Sequence, residues 1–231
     1  MKRARFDNIF IQQSRRGMRL FTKSLYRGFR GFDETLYKQK IDEVQTHLRE
    51  VDPERSKLFA GVAKGVSQIG IREGSSVLYL GASHGYTPSF VSDVVGENGC
   101  VVCVDFAPRV VRDLVFVCEK RANMAPVMGD ANHPEEYAQF VPSEGVDVVF
   151  QDVAQRNQVQ MFVKNCEAFL KKGGYGLLAL KARSVDVTRK PAAVFKEAFL
   201  ALEKDPSVVI VDKRELDPFE KDHILFVVKR K

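Results

Sequence analysis

The sequence contains no apolar run near the roughly 20 residues that a helix needs to cross a bilayer, which excludes a transmembrane helix. The basic start at residues 1–5 is followed by no apolar segment typical of a secretory signal. Few residues are cysteine, and those present lie in apolar stretches: Cys100, Cys103, Cys118 and Cys166. We therefore expect a reduced, cytoplasmic protein with buried thiols.

A zinc-binding motif is also missing. Cys100 and Cys103 have C-x-x-C spacing, but they fall in an apolar run typical of a strand, where side chains three positions apart face opposite sides. No second Cys/His pair stands at zinc-finger spacing, so we expect no metal site.

The composition is that of an ordinary globular protein, with 45% hydrophobic and 29% charged residues in a chain of 231. That length predicts one full domain with a small appendage. The basic excess lies at the N-terminus, where residues 1–30 hold nine Lys and Arg residues against one acidic residue. Such a block can attract a polyanion, but it is equally typical of a solvated surface, so charge alone predicts no nucleic acid.

From residue 74 onward, short apolar runs alternate with amphipathic segments. The runs cover residues 77–80, 100–104, 126–128, 146–150, 176–180, 208–211 and 224–228, and the segments cover 108–121, 156–171 and 191–203. Apolar runs between helices predict strands buried on both faces, hence a parallel sheet. The last two runs have no helix between them and predict an antiparallel pair. The fold class is therefore α/β, a doubly wound class I methyltransferase (Rossmann-like) sheet with antiparallel C-terminal strands.

Residues 1–54 are expected to form a separate small domain that is β-rich, followed by the methyltransferase domain at 55–231. The spacing of Ile41, Val44, Leu48 and Val51 favours a helix, although the same residues also fit strands. Gly28 and Gly31 indicate a hairpin region. Ser56 is a candidate cap for a helix that begins near Lys57.

A loop with two glycines, residues 81–85, follows the first strand of the predicted sheet. Such a turn lets a ligand approach the backbone beside a helix N-terminus. Asp105 follows the next strand, where a carboxylate can accept hydrogen bonds from ribose hydroxyls. Together the two features favour a nucleoside-bearing cofactor. The loop lacks the full G-x-G-x-x-G pattern, which favours S-adenosylmethionine over NAD.

The same loop also matches G-x-S-x-G, the nucleophile elbow of α/β-hydrolases, with Ser83 as nucleophile. Asp152 and His223 follow in the order that a hydrolase triad requires. Against this alternative, only residues 1–76 precede the loop, and Asp105 would have no role.

Several motifs resemble the fibrillarin family. They are RSKL (55–58), VLYLGA (77–82), VSDVVG (91–96), VVFQDVAQ (148–155), GGYG (173–176) and DPFEKDH (217–223). The resemblance covers nearly all of residues 55–231 and is thinner in 1–54. Because no Gly/Arg-rich segment precedes these motifs, the chain is most similar to the archaeal type.

This resemblance implies 2′-O-methylation of ribose in rRNA, with tRNA as a second substrate class, using S-adenosylmethionine. It implies a catalytic tetrad of Lys57, Asp152, Lys181 and His223, in which a lysine with a lowered pKa can accept the hydroxyl proton. The implied partners are a box C/D guide RNA, the target RNA, a Nop-domain scaffold protein and a kink-turn-binding ribosomal-type protein. A non-catalytic assembly subunit of the same particle is the alternative.

The resemblance also implies the cofactor-binding residues. These are Gly81, Ala82, Thr87, Asp105, Phe106, Asp130, Ala131, Asp152 and Gln155. The loop departs from the family pattern Gly-x-Ala-Ser-Gly-Thr-Thr, because His84 and Tyr86 are bulkier than the residues they replace. We expect His84 to serve in loop packing rather than catalysis.

Overall fold

The computed structural model describes residues 1–14, 17–26, 28 and 31–231. The strands are β1 (Lys2–Arg3), β2 (Ile9–Ser14), β3 (Gly17–Lys23), β4 (Leu36–Ile41), β5 (Val44–Val51), β6 (Ser76–Leu80), β7 (Cys100–Asp105), β8 (Met124–Met128), β9 (Val146–Gln151), β10 (Leu170–Lys181), β11 (Val208–Glu215) and β12 (His223–Arg230). The α-helices are α1 (Lys57–Ala63), α2 (Tyr86–Val95), α3 (Pro108–Cys118), α4 (Gln158–Phe169), α5 (Ala182–Val185) and α6 (Pro191–Lys204).

The larger sheet has the order β11-β12-β10-β9-β6-β7-β8. Neighbouring strands from β8 to β10 pair in parallel, whereas β12 is antiparallel to both β10 and β11. All of β6 and most of β7 and β9 are buried, because helices cover both faces of the sheet. The predicted methyltransferase-type sheet with an antiparallel C-terminal pair is confirmed.

The N-terminal residues form an antiparallel sheet with the order β1-β2-β3-β5-β4, which confirms the β-rich prediction. The helical interpretation of residues 41–51 is wrong, because β5 is a strand that packs on both faces. Leu48 packs with Phe10 and Phe21 on one face, whereas Val51 joins the large core on the other. Two apolar residues three positions apart therefore serve opposite faces of a strand and imitate the spacing of a helix.

The predicted hairpin at Gly28 and Gly31 lies partly outside the described residues. In the described part, β3 and β4 do not pair with each other, since β5 lies between them. The expectation of buried thiols is confirmed for Cys103, Cys118 and Cys166, whereas Cys100 at the start of β7 is only partly buried; all four cysteines are free. Within the described residues, no His, Cys, Asp and Glu side chains group closely enough to hold a metal ion. No helix in that part of the chain is long and apolar enough to cross a membrane.

A buried ionic cluster joins the two sheets, and we call its four residues the interface cluster: Glu34, Arg49, Asp93 and Arg121. Arg49 on β5 donates to Glu34 at 2.8 Å and to Asp93 on α2 at 2.7 Å. Arg121 donates to the other oxygen of Asp93 at 2.9 Å. All four side chains are fully buried. Two cations and two carboxylates therefore neutralise one another where the N-terminal sheet packs on α2.

Candidate active site

The loops that follow β6, β7 and β9 meet at the carboxyl edge of the large sheet. Gly81 has φ of +80°, and a Cβ at this position would lie 2.2 Å from the Asp152 carbonyl oxygen. The β6 loop and the β9 loop therefore touch through their backbones, and only glycine permits this approach. The neighbouring Ala82 is buried, and its N–H donates to Val104 O at 3.0 Å.

Asp105 lies at the end of β7 and is oriented by two backbone groups. Its Oδ2 accepts from the Ser83 N–H at 2.9 Å, and its Oδ1 accepts from the Ala107 N–H at 3.1 Å. The next residue, Phe106, is 65% exposed, and Met128, which pairs in register with Asp105, is 63% exposed. A fixed carboxylate thus lies beside two apolar side chains that the described protein atoms leave uncovered.

Asn132 connects the loops after β8 and β9. Its Nδ2 donates to Asp130 Oδ1 and to Gln155 Oε1, each at 2.9 Å. Ala131 is 7% exposed, and its carbonyl accepts from Asn165 at 2.8 Å. The structure therefore brings together Asp130, Ala131 and Gln155, which the sequence placed on the cofactor side.

A second group of polar side chains surrounds and includes Asp152. We call these five residues the site cluster: Lys57, Asp152, Lys181, Glu220 and His223. The Lys57 Nζ is 3.3 Å from Asp152 Oδ2 and 3.6 Å from Glu220 Oε1. His223 Nδ1 is 3.8 Å from Glu220 Oε2. Lys181 pairs with His223 across β10 and β12, and its side chain is exposed. The four residues of the predicted tetrad thus converge.

Helix α1 holds Lys57 at its first position, as the sequence predicted. Ser56 is the N-cap, and its Oγ accepts from the Phe59 N–H. The same Oγ accepts from the Thr87 hydroxyl at 3.0 Å. Thr87 is buried and directs its hydroxyl toward Ser56, so it joins the helix of Lys57 to the helix that follows the glycine loop.

Gln158 holds the backbone of Lys181 through its side-chain amide. The amide oxygen accepts from the Lys181 N–H at 3.0 Å, and the amide nitrogen donates to Lys181 O at 3.2 Å and to Gln155 O at 2.7 Å. Pairing between β9 and β10 ends at Leu178, so this amide takes the place of a strand neighbour. It is only 1% exposed and links the cofactor side to the site cluster.

The carboxylates around Lys57 determine its protonation state. Burial lowers the pKa of Lys57, but the charges of Asp152 and Glu220 outweigh burial and raise this pKa above its usual value. The expectation that a lysine with a lowered pKa accepts the proton therefore fails for Lys57. Burial raises the pKa of Asp152, and Lys57 offsets only part of that effect. Burial lowers the pKa of His223, so its ring is neutral near pH 7.

The hydrolase alternative is contradicted by the contacts of Ser83 and His223. The Ser83 hydroxyl lies 3.2 Å from His84, whereas the His223 ring contacts Lys221 and Glu220. His84 contacts its own loop through Ser83, and its exposed side chain also places Nε2 3.6 Å from the surface carboxylate of Asp113.

Sequence reasoning missed three residues of this region: Asn132, Gln158 and Glu220. Glu220 lies inside the 217–223 motif, three positions before His223, and the turn that brings it to Lys57 is not visible in the sequence. Asn132 and Gln158 each act through contacts between separate loops. A polar residue at the start of an otherwise amphipathic helix was the only signal for Gln158.

Comparison with known proteins gives consistent results. A sequence profile described as Fibrillarin matches residues 1–231. The "Fibrillarin-like rRNA/tRNA 2'-O-methyltransferase" of Methanocaldococcus jannaschii is 45% identical over 223 residues, covering 96% of this chain and 94% of that protein. The solved structure of Aeropyrum pernix fibrillarin with natively bound S-adenosyl-L-methionine has a TM-score of 0.85 and 39% identity, covering 98% and 96% of the two chains.

A third structure, of a fibrillarin/Nop5p complex, has a TM-score of 0.82 at 32% identity and covers 100% of both chains. These similarities extend over both sheets, including the N-terminal sheet, where the sequence motifs are thin. From the profile match and the full-length similarity together, it follows that this chain belongs to the fibrillarin family.

Proposed function

We propose that this chain transfers a methyl group from S-adenosylmethionine to ribose 2′-hydroxyls of rRNA and tRNA, as the catalytic subunit of a box C/D guide particle. The observation that carries the proposal is the site cluster, which places Lys57, Asp152, Lys181 and His223 around one point beside the glycine loop. The full-length relatives that carry this activity in their names support it.

The residues beside the glycine loop fit S-adenosylmethionine. Asp105 offers a carboxylate that two backbone N–H groups already orient, which suits the two hydroxyls of a ribose. Phe106 and Met128 offer apolar surface to an adenine ring. Gly81 and Ala82 carry no bulky side chain, and we assign them to the methionine part. We assign Asp130 and Ala131 to the adenine edge and Gln155 to the methionine side. When bound, the cofactor supplies an electrophilic methyl group on a sulfonium.

The chain's own residues orient and deprotonate the ribose hydroxyl. Asp152 is the proton acceptor, because its raised pKa makes it a stronger base than an exposed aspartate. Lys57 and Lys181 donate hydrogen bonds that hold the hydroxyl oxygen in line with the methyl carbon. His223 stays neutral and adds no further positive charge beside the two lysines.

The proposed partners follow from the surface and from a relative. Arg183, two positions after Lys181, is fixed by Asp222 at 3.0 Å and by the Val187 carbonyl at 2.9 Å, and its side chain is half exposed. An immobilised guanidinium beside the site cluster suits an RNA phosphate. A fibrillarin of 32% identity forms a complex with Nop5p, which supports a Nop-domain scaffold. The guide RNA, the target RNA and a kink-turn-binding protein complete the proposed particle.

The test is transfer of tritiated methyl groups to a target RNA in the reconstituted guide particle. The wild-type chain should methylate the guided nucleotide, and Lys181→Ala should abolish transfer while it retains cofactor affinity. Asp105→Ala should instead weaken cofactor binding by about 1–3 kcal/mol, the usual loss of charged hydrogen bonds. Calorimetry with S-adenosylmethionine measures this affinity.

Three results would contradict the proposal. They are assembly of the particle without methylation, full activity of Lys181→Ala, and equal cofactor affinity of wild type and Asp105→Ala. The first result would favour a non-catalytic assembly subunit.

A further inference from the structure

Glu220 contacts two residues of the site cluster that belong to different elements. Its Oε1 is 3.6 Å from the Nζ of Lys57 on α1, and its Oε2 is 3.8 Å from the Nδ1 of His223 on β12. The side chain is only 15% exposed, and its backbone is fixed by the bond from the Glu220 N–H to Leu216 O at 3.2 Å. A largely buried carboxylate is costly unless a nearby cation compensates its charge.

Lys57 is the principal partner of Glu220. His223 Nδ1 lies 2.8 Å from the carbonyl oxygen of Lys221. A carbonyl only accepts, so Nδ1 carries the ring hydrogen of the neutral histidine and the lone pair is on Nε2. The Nδ1 hydrogen is thus already donated to the Lys221 carbonyl. Glu220 therefore acts on His223 only through its charge.

The charges of the site cluster balance only if Glu220 is included. Lys57 and Lys181 supply two cations, whereas Asp152 alone supplies one carboxylate. Glu220 supplies the second, at nearly the same distance from Lys57 as Asp152. The negative charge of Glu220 offsets part of the effect that the Lys57 ammonium has on Asp152. Asp152 is therefore more basic than it would be if Lys57 were its only charged neighbour.

The balance changes during the reaction. The ribose O–H bond breaks and its proton goes to Asp152, while the oxygen forms a bond to the methyl carbon and the electrons of the C–S bond stay on sulfur. Asp152 is then neutral, and Lys57 loses one of its two counter-ions. Glu220 is the carboxylate that remains within reach.

We propose that Glu220 is a positioning residue of methyl transfer, which holds the Lys57 ammonium between two carboxylates and stays its counter-ion after Asp152 is protonated. The inference rests on the proposed function and on Asp152 as proton acceptor. The other titratable groups that face Lys57 are Asp152, Lys181 and the neutral His223, and these are unchanged in the variants below.

The test compares Glu220→Gln with Glu215→Gln, an exposed carboxylate five positions earlier on β11. Single-turnover methyl transfer is measured in the reconstituted particle from about pH 5 to about pH 9. Glu220→Gln should lower the rate about tenfold and move the acid limb of the profile to lower pH, because loss of the negative charge lowers the pKa of Asp152. Glu215→Gln should match wild type, and Glu220→Asp, which keeps the charge, should keep the acid limb of wild type.

A second readout needs no turnover: a carbon-13 NMR titration of the Asp152 carboxyl group should give a lower pKa in Glu220→Gln than in wild type. An unmoved acid limb or an unmoved Asp152 pKa in Glu220→Gln overturns the inference, even when the rate falls, because a merely structural contact would have that result. If Glu220→Gln does not fold, an Asp152 pKa in Glu220→Asp equal to that of wild type supports the inference, and one shifted downward overturns it. If wild type transfers no methyl group, the proposed function is contradicted and this inference falls with it. If wild type is active but the pH profile of Glu220→Gln equals that of wild type, only this inference is contradicted.

Discussion

The interface cluster has two cations and two carboxylates, and the site cluster has the same charges beside the neutral His223, but the two arrangements differ. In the interface cluster the hydrogen bonds between the charged side chains are 2.7–3.0 Å long, and every side chain is buried. In the site cluster the contacts of Lys57 are 3.3 and 3.6 Å long, and Lys181 is exposed.

The difference lies in how completely each carboxylate is satisfied. Asp93 accepts from Thr22, from the Leu25 N–H and from both arginines. Asp152 has one close cation, Lys57, and its pKa is raised. Burial would also raise the pKa of Glu34, but Arg49 outweighs burial and brings the pKa of Glu34 below its usual value. Fully hydrogen-bonded carboxylates stabilise the fold, whereas the incomplete bonding of Asp152 suits its proposed role as proton acceptor.

The largest expected effect is on catalysis. Asp152→Asn should lower the rate of methyl transfer about 10²–10⁴-fold, because it removes the proton acceptor. The free energy of unfolding should change by less than about 1 kcal/mol, since burial already disfavours the charge of Asp152. Single-turnover assays and urea unfolding measure the two quantities. Asp42→Asn, in the exposed pair with Arg3, is the control and should leave both unchanged. If Asp152→Asn keeps a rate within about threefold of wild type, Asp152 is not the proton acceptor.

The converse is expected of the interface cluster. Arg49→Leu should lower the free energy of unfolding by about 3–5 kcal/mol, because Glu34 and Asp93 lose their buried partner. Arg3→Leu removes a surface pair and should cost less than about 1 kcal/mol. Urea unfolding of both variants makes the comparison, and equal losses would show that burial does not distinguish the two pairs.

Gln158→Met tests a buried contact that serves the site. It keeps the size of the side chain but removes the bonds to Lys181 and Gln155, so unfolding should become easier by about 1–3 kcal/mol. The rate of methyl transfer should also fall about tenfold, because Lys181 loses its fixed backbone. Gln160→Met, at an exposed position of α4, is the matched control. Loss of stability without loss of rate would make Gln158 purely structural.

The smallest expected effect is in the pH dependence of stability. Because the pKa of Glu34 is lowered in the folded state, its contribution is fully present above the unfolded pKa and is lost as pH falls through the folded value. Glu34→Gln should therefore reduce the loss of stability between about pH 5 and about pH 3 by about 1 kcal/mol. Asp152, with its raised pKa, contributes in the opposite sense, so Asp152→Asn should not reduce that loss. Urea unfolding of both variants and of wild type at each pH measures the free energy of unfolding and tests both expectations.

The sequence predicted the large sheet well because its strands are continuous apolar runs bounded by turns. It predicted β5 poorly, since Leu48 and Val51 pack on opposite faces. That the tetrad residues lie together could be expected from the sequence, because Lys57, Asp152 and His223 belong to distinctive motifs and all four residues lie at or next to the ends of helices or strands.

Long-range charge contacts could not be predicted in the same way. Arg49 and Asp93 are 44 positions apart and read as ordinary surface charges, because only the packing of β5 on α2 brings them together. Glu220 meets Lys57 for a similar reason: the contact depends on the turn after β11 and on the direction of α1. Pairing across elements is a property of the packed chain, and a local pattern does not encode it.

The hydroxyl pair of Ser56 and Thr87 has a consequence for the order of binding events. Ser56 caps the helix of Lys57, and Thr87 lies in the first turn of the helix after the glycine loop, so the two helix ends share one hydrogen bond. Energetic coupling between two sites is reciprocal. If the proposed function holds, we expect a cofactor that immobilises the glycine loop also to immobilise Lys57, and an RNA hydroxyl that contacts Lys57 to restrict the motion of the loop. Each substrate thereby prepares the protein for the other, whichever arrives first.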